Sequence, residues 1–347
     1  MPDPADPPLL AACRNEPAWR TPVWFMRQAG RSLPEYRAIR GDGSILDALK
    51  VPDLATEITL QPVRRYGVDA AILYSDIVVP VHAIGFGVDI APGIGPVVER
   101  PFSGEADLGR LRPLEPEQDT PWVLETVRNL AKELPDEVPL IGFAGAPFTV
   151  ASYLIEGRPT RTYAKTKAMM LGEPELFRKL LDAIGALSLT SLRSQVEAGA
   201  RAFQLFDSWA GALSVADYRT HVLPASKRIF AGMADLGVPG IHFGVATGEL
   251  LPAMAEAGAD VVGIDWRVPL DAARDRLGAD VAVQGNLDPE AAFAPWPVLE
   301  EKVHAVLGAN AGRPGHIFNL GHGVLPETDP DQLARVVEVV HAAGGAA

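Results

Sequence analysis

The chain has a single cysteine, Cys13, which excludes an intramolecular disulfide and any cysteine-rich metal site and suits a reducing compartment. Basic residues are also scarce. Against 44 Asp and Glu there are 31 Lys and Arg, a formal net charge of -13, so the field of the whole molecule repels polyanions and nucleic acid is not expected as a partner. An anionic ligand would have to be drawn in by a local basic patch. No apolar run is fit to span a membrane: the greasiest region, "IVVPVHAIGFGVDIAPGIGPVV", is broken by prolines, glycines, His82 and Asp89. The start, "MPDPADPPLLAACRNEP", is acidic and proline-rich where a secretory signal needs a basic start and an apolar core, so the expected location is the cytoplasm.

Several chemical signatures are missing as well. Seven histidines show no H-E-x-x-H or paired spacing, no Walker pattern is present, no G-x-S-x-G surrounds Ser208, and no Gly-rich dinucleotide fingerprint follows the first apolar run. Neither a metal nor an organic cofactor is expected.

What is present is a regular alternation. Apolar runs of strand length, "TPVWFM", "DAAILY", "VPLIGFAG", "ARAFQLFD", "VPGIHFGV", "DVVGIDW", "DVAVQGNLD" and "GHIFNLGHG", are separated by segments of helical period such as "PDLATEITLQPVRRYG" and "DPDQLARVVEVVHAAGG". Continuous apolar strands imply burial on both faces, and strict alternation with helices implies parallel pairing. Eight units fit one α/β domain over residues 1–347, a single (β/α)8 TIM barrel; the alternative is an open doubly wound sheet. Residues 1–18 read as a loose N-terminal arm, and residues 79–102 as a hairpin inserted after the second strand.

A barrel places its chemistry at the C-terminal strand ends. There the sequence delivers Arg27 and Arg31 after the first strand, Asp76 after the second, Tyr153 after the third, Ser208 after the fourth and His322 after the eighth. Each has a plain reading: the arginines as solvated charges, Asp76 as a turn cap, Tyr153 and Ser208 as satisfied loop hydroxyls. His322 lies in "GHG", where the glycines permit close backbone approach and leave the imidazole uncovered. Asp265 and Trp266 read as structural and Cys13 as a bystander. From Arg27 to Lys50, five basic residues face three acids, a locally positive stretch in an acidic protein. Arginines for carboxylates and one well-placed carboxylate suggest a pocket for a polyanionic organic acid.

The blocks "PVWFMRQAGRSLPEYR", "YSDIVVP", "GFAGAPFTVASYLIEG", "QLFDSWAG", "VVGIDW", "QGNLDP" and "NLGHGVLPETDP", in this order, resemble those of the uroporphyrinogen decarboxylase family of haem biosynthesis. The resemblance runs from about residue 15 to residue 340, and co-linear blocks are far more specific than any single motif. It implies a cofactor-free TIM-barrel carboxy-lyase, a homodimer whose two clefts face each other, that converts the four acetate side chains of uroporphyrinogen III to methyl groups, giving coproporphyrinogen III. The family's substrate-binding loop falls on Arg27, Gln28, Ala29, Gly30 and Arg31, with Arg40 a further basic position. Its central aspartate falls on Asp76, its tyrosine on Tyr153, its loop hydroxyl on Ser208 and its histidine on His322. Asp76 and Arg27 are the implied catalytic groups, Arg27 either as an acid or as a carboxylate anchor that orients the donor. Ser32 departs from the family's frequent aromatic. Two rivals stand: a corrinoid-dependent methyltransferase, which would need thiolate and imidazole zinc ligands, and a non-catalytic tetrapyrrole carrier.

Overall fold

Short Val-, Ile-, Leu- and Phe-rich runs, each closed by Gly or Asp, become the strands of a parallel sheet. In a computed structural model describing residues 6–41, 43–91 and 93–344, the strands are β1 (Ala71–Ile72), β2 (Val88–Ala91), β3 (Gly95–Val98), β4 (Leu140–Gly145), β5 (Ala202–Phe206), β6 (Gly240–Phe243), β7 (Val261–Gly263), β8 (Ala282–Gln284) and β9 (His316–Ile317). Seven of them form one curled parallel sheet in the order β1-β4-β5-β6-β7-β8-β9, an arrangement of TIM type. Its register runs through Ile141 opposite Ala202, Phe203 opposite Gly240, Ile241 opposite Val261 and Val283 opposite His316. Helices such as Pro52–Tyr66, Pro121–Glu133 and Pro174–Ala198 carry the crossovers and cover the sheet.

The first expected strand, "TPVWFM", does not form a full strand. It makes one parallel bridge, Val23 to Phe318, with Phe318 N–H donating to Pro22 O at 2.8 Å, while on its other side Asp69 N–H donates to Val23 O at 2.8 Å. Side chains take the donors that a regular ladder would use. Val23 N–H goes to the Asp69 carboxylate at 2.7 Å, Phe25 N–H to Gln28 Oε1 at 3.0 Å, and Met26 N–H to Asn319 Oδ1 at 3.1 Å. Inside the sheet a polar string crosses the core: Trp24 Nε1–H donates to Gln284 Oε1 at 3.0 Å, and Gln284 Nε2 donates to Gln204 Oε1 at 2.9 Å.

The expectation of a loose arm is corrected over its described part. Pro8–Cys13 form a helix whose six residues are all buried, packed against β9, with Pro at the first turn and the Leu9, Leu10 and Ala12 side chains among the core. Its apolar surface outweighs the prolines that suggested disorder. Residues 1–5 of that arm lie outside the described residues. The region 79–102 begins as a short helix, Val79–Ala83, before β2 and β3 pair antiparallel. Val98 N–H donates to Gly157 O and Phe102 N–H to Leu154 O, both at 2.8 Å, which fastens this pair to the helix Pro147–Glu156.

Candidate active site

A cavity of about 450 Å³ opens at the C-terminal ends of the strands. Phe143 of β4, Phe206 of β5 and Phe243 of β6 line it edge to face, with ring centroids 5.3 and 6.0 Å apart. Each stands at or just before its strand end, in "GFAG", "LFD" and "HFG", so the apolar half of the site is marked in the sequence by strand-end phenylalanines rather than by polar residues. Ile90, Gly95 and Pro96 bring the β2–β3 pair to the same wall.

Above this apolar surface the polar groups converge. Arg27, Ala29, Gly30, Arg31, Asp76, Tyr153, Ser208 and His322 all line the cavity. Arg27 sits at φ 60°, a left-handed conformation unusual for a side-chain-bearing residue, and its alkyl chain lies flat on Gly323: a Cβ there would come within 2.4 Å of Arg27 Cδ. Neither Arg27 nor Arg31 has a carboxylate partner among the described residues, whereas neighbouring cations such as Arg20 and Arg64 are paired. Asp76 accepts from Val78 N–H at 3.0 Å through Oδ1, so the turn-cap reading is correct for one oxygen; the other has no protein donor among the described residues. Burial raises its pKa, outweighing Val78 N–H and the Arg27 charge, which pull it down.

His322 accepts from Gly323 N–H at Nδ1, 2.5 Å away, which puts the imidazole proton on Nε2. Burial, then the charges of Arg27 and Arg267, push its pKa down to about 4, so it is a neutral donor. Tyr153 stacks on Trp209 with centroids 3.9 Å apart, and Trp209 meets Tyr163 edge-on at 5.2 Å. Burial, followed by the nearby Asp76, raises the Tyr153 phenol, which stays protonated. At the rim, Tyr36 and Tyr74 share a hydroxyl–hydroxyl hydrogen bond of 3.0 Å.

A family model described as "Uroporphyrinogen decarboxylase (URO-D)" matches residues 4–343. The chain is 62% identical over 339 residues to a uroporphyrinogen decarboxylase of Salinispora tropica, covering 98% of this chain and 91% of that protein. It is 60% identical to the uroporphyrinogen decarboxylase of Streptomyces griseus, over 97% of this chain and 92% of that one. The chain belongs to the uroporphyrinogen decarboxylase family. A methyltransferase from Methanosarcina mazei superposes with a TM-score of 0.84 over 98% of both chains at 19% identity, which shows a shared fold.

Two positions that the family resemblance marked do not reach the cavity. Gln28 is wholly buried, accepting from Phe25 N–H and donating to Ala70 O at 3.0 Å, so its side chain braces the arginine loop from behind. Arg40 lies outside the lining; its guanidinium donates to Gly41 O at 2.9 Å and lies near the phenol of Tyr74. Asp265 is structural, as its sequence context suggested: it accepts from Ala246 N–H at 2.5 Å and from Arg267 Nη1 at 2.6 Å. Cys13 is buried in the helix Pro8–Cys13, where its thiol feels Asp260, just ahead of β7, at the end of the sheet opposite the cavity. Among the described residues, no group of three or more His, Cys, Asp or Glu is placed to hold a metal ion.

The depressed imidazole makes the stability of the protein depend on pH. His322 titrates near 6.5 when unfolded and at about 4 when folded, so the unfolded state binds the extra proton first and stability falls as pH drops from 6.5 towards 4. The buried His316, also at about 4, contributes in the same direction. Denaturant unfolding of His322→Gln should therefore show a shallower loss between these pH values; an unchanged slope would mean that His322 titrates normally.

Proposed function

We propose that this cavity performs the family's reaction, replacing the carboxyl group of each of the four acetate side chains of uroporphyrinogen III by a proton to give coproporphyrinogen III and carbon dioxide, in haem biosynthesis. The observation that carries this reading is the Asp76 carboxylate, with one oxygen free of donors among the described residues, sharing an aromatic-lined cavity with Arg27, which has no carboxylate partner among those residues. Breaking the bond to carbon dioxide leaves an electron pair on the methylene carbon, and a neutral pyrrole has no place for it. Protonation of a ring carbon first makes a cationic sink; the carbon–carbon bond then breaks and its electrons neutralise the ring. The methylene carbon then takes up a proton and the ring carbon releases the one it gained, so that one net proton replaces carbon dioxide and the pyrrole is restored. Asp76 accepts hydrogen bonds from pyrrole N–H groups and stabilises the cation as it develops, an oxyanion hole with its signs reversed. Its raised pKa is the counterpart of that task, because a carboxylate held out of water is destabilised until the cation forms.

Arg27 and Arg31 hold carboxylates of the substrate through their planar forks, with Tyr153, Ser208 and the Nε2–H of His322 as neutral donors. Guanidinium is a very weak acid, so Arg27 serves as the anchor that orients the reacting acetate. Arg31→Lys should then raise KM while keeping the charge, because an ammonium cannot present two parallel N–H groups. An unchanged KM would remove Arg31 from the substrate.

The family resemblance further supports a homodimer with facing clefts, acting in the cytoplasm without metal or organic cofactor. On that reading, turnover survives exhaustive chelation and dialysis; a loss restored only by added metal would favour methyltransferase-like chemistry. No helix among the described residues is long and apolar enough to cross a membrane. We also read the Val23 segment, bonded on both sides, as the eighth stave that closes a single-domain (β/α)8 barrel, with the β2–β3 pair inserted after the second stave. Anaerobic incubation with uroporphyrinogen, followed by chromatography of the oxidised products, tests the whole proposal. Products with seven to four carboxyl groups are expected, and bound but unchanged substrate would make the chain a carrier.

A further inference from the structure

Asp207 follows β5, has no accessible surface and does not itself line the cavity, although two residues it bonds, Thr149 and Phe243, do. Its backbone is held by Asp207 N–H donating to Phe243 O at 2.7 Å and by Ala210 N–H donating to Asp207 O at 3.1 Å. Through Oδ1 it accepts from Thr149 Oγ1–H at 2.9 Å, and the same Thr149 oxygen accepts from Trp209 N–H at 3.2 Å. Thr149 stands in the first turn of Pro147–Glu156, one turn before Tyr153 and on the same side of the helix. One threonine hydroxyl therefore joins the helix that presents Tyr153 to the loop that presents Ser208 and Trp209, and the Asp207 carboxylate orients that hydroxyl.

The second carboxylate oxygen faces a buried polar cluster. Asp207 Oδ2 lies 3.9 Å from His242 Nε2, and neither atom has a hydrogen-bond partner among the described residues; nor have the buried Tyr218 hydroxyl and Ser226 Oγ. Tyr218 is close enough to Asp207 and Ser226 for both to act on its phenol. Leaving several buried donors and acceptors unpaired would be costly. A polar site with two to four such partners is where an ordered water is held.

We propose that Asp207 is a positioning residue that fixes Tyr153 and Ser208 relative to each other, through Thr149 on one carboxylate oxygen and through a buried water shared with His242 and Tyr218 on the other. The proposal rests on the reading that Tyr153 and Ser208 face the substrate.

The test is a double-mutant cycle between Thr149→Val and Asp207→Asn, with Thr149→Ser as the conservative variant. Each single change should lower kcat/KM about tenfold, the double no further than the worse single, and Thr149→Ser should recover most of the loss because it keeps both hydrogen bonds. The stack is read independently in the free protein as the Trp209 emission, obtained by difference from matched Trp209→Phe partners. Thr149→Val should change that emission. If the emission changes while kcat/KM stays native, the bracing is real and the substrate-facing role of Tyr153 and Ser208 is wrong. Native kcat/KM together with native emission, or losses that simply add, would overturn the proposal. High-resolution diffraction should show a water within hydrogen-bond reach of Asp207 Oδ2, His242 Nε2 and Tyr218 OH; a direct Asp207–His242 contact in its place would overturn the water arm.

Discussion

Asp76→Asn is expected to decarboxylate uroporphyrinogen about a hundredfold or more slowly than the native chain, the usual range for deleting one preorganised electrostatic group. The amide keeps the shape and can still accept from Val78 N–H, so the turn that leads into Val79–Ala83 survives. What it loses is the negative charge opposite the developing pyrrole cation. Asp76→Glu keeps the charge but displaces it by one methylene, and it should retain more activity than the amide. Because one Asp76 oxygen does cap a turn, the structural share has to be measured separately: a lost cap lowers stability by about 1 kcal/mol and leaves the chemistry alone. Early melting with normal turnover would identify Asp76 as a cap and nothing more.

Gly323→Ala should lower kcat/KM about a hundredfold, although residue 323 need not touch the substrate, because a shift of about 1 Å in a positioned group can cost that much. A Cβ at this position would fall 2.4 Å from Arg27 Cδ and 2.7 Å from its Cγ. These atoms are close to the Arg27 backbone, itself held in a left-handed conformation by the loop, so the side chain has to leave its track across Gly323. Gly323 is not among the glycines with positive φ, so alanine carries no backbone penalty there and the fold should survive. In an Arg27→Ala background the same substitution should have almost no further effect. Equal losses in both backgrounds would show that Gly323 matters for some other reason.

Much of this arrangement was legible in the sequence, for identifiable reasons. Strand ends could be found because β4, β5 and β6 are buried on both faces and close on Gly or Asp, and reading those ends in order placed Asp76, Tyr153, Ser208 and His322 around one cavity. The glycines around His322 correctly signalled close approach, though what approaches Gly323 is Arg27. Where the reading failed, tertiary packing overrode a local pattern. Pro8–Cys13 looked like a proline-rich arm, yet it carries enough leucine and alanine to be buried against β9. Gln28 sits inside the arginine signature, but its amide turns inward to Ala70, a direction that spacing alone does not specify. "TPVWFM" has the composition of a strand, but Asp69, Gln28 and Asn319 come from distant or irregular positions to take its N–H groups. The Thr149–Asp207 hydrogen bond, which spans 58 positions, had no sequence signal at all.

The central claim is that the Asp76 carboxylate meets the pyrrole N–H groups at the middle of the bound macrocycle. A crystal structure of the protein with the product, coproporphyrinogen, bound under anaerobic conditions tests this most directly. The pyrrole nitrogens should converge on Asp76 within hydrogen-bond distance, with propionate carboxylates on Arg27 and Arg31. A macrocycle bound with its nitrogens turned away from Asp76 would contradict the account.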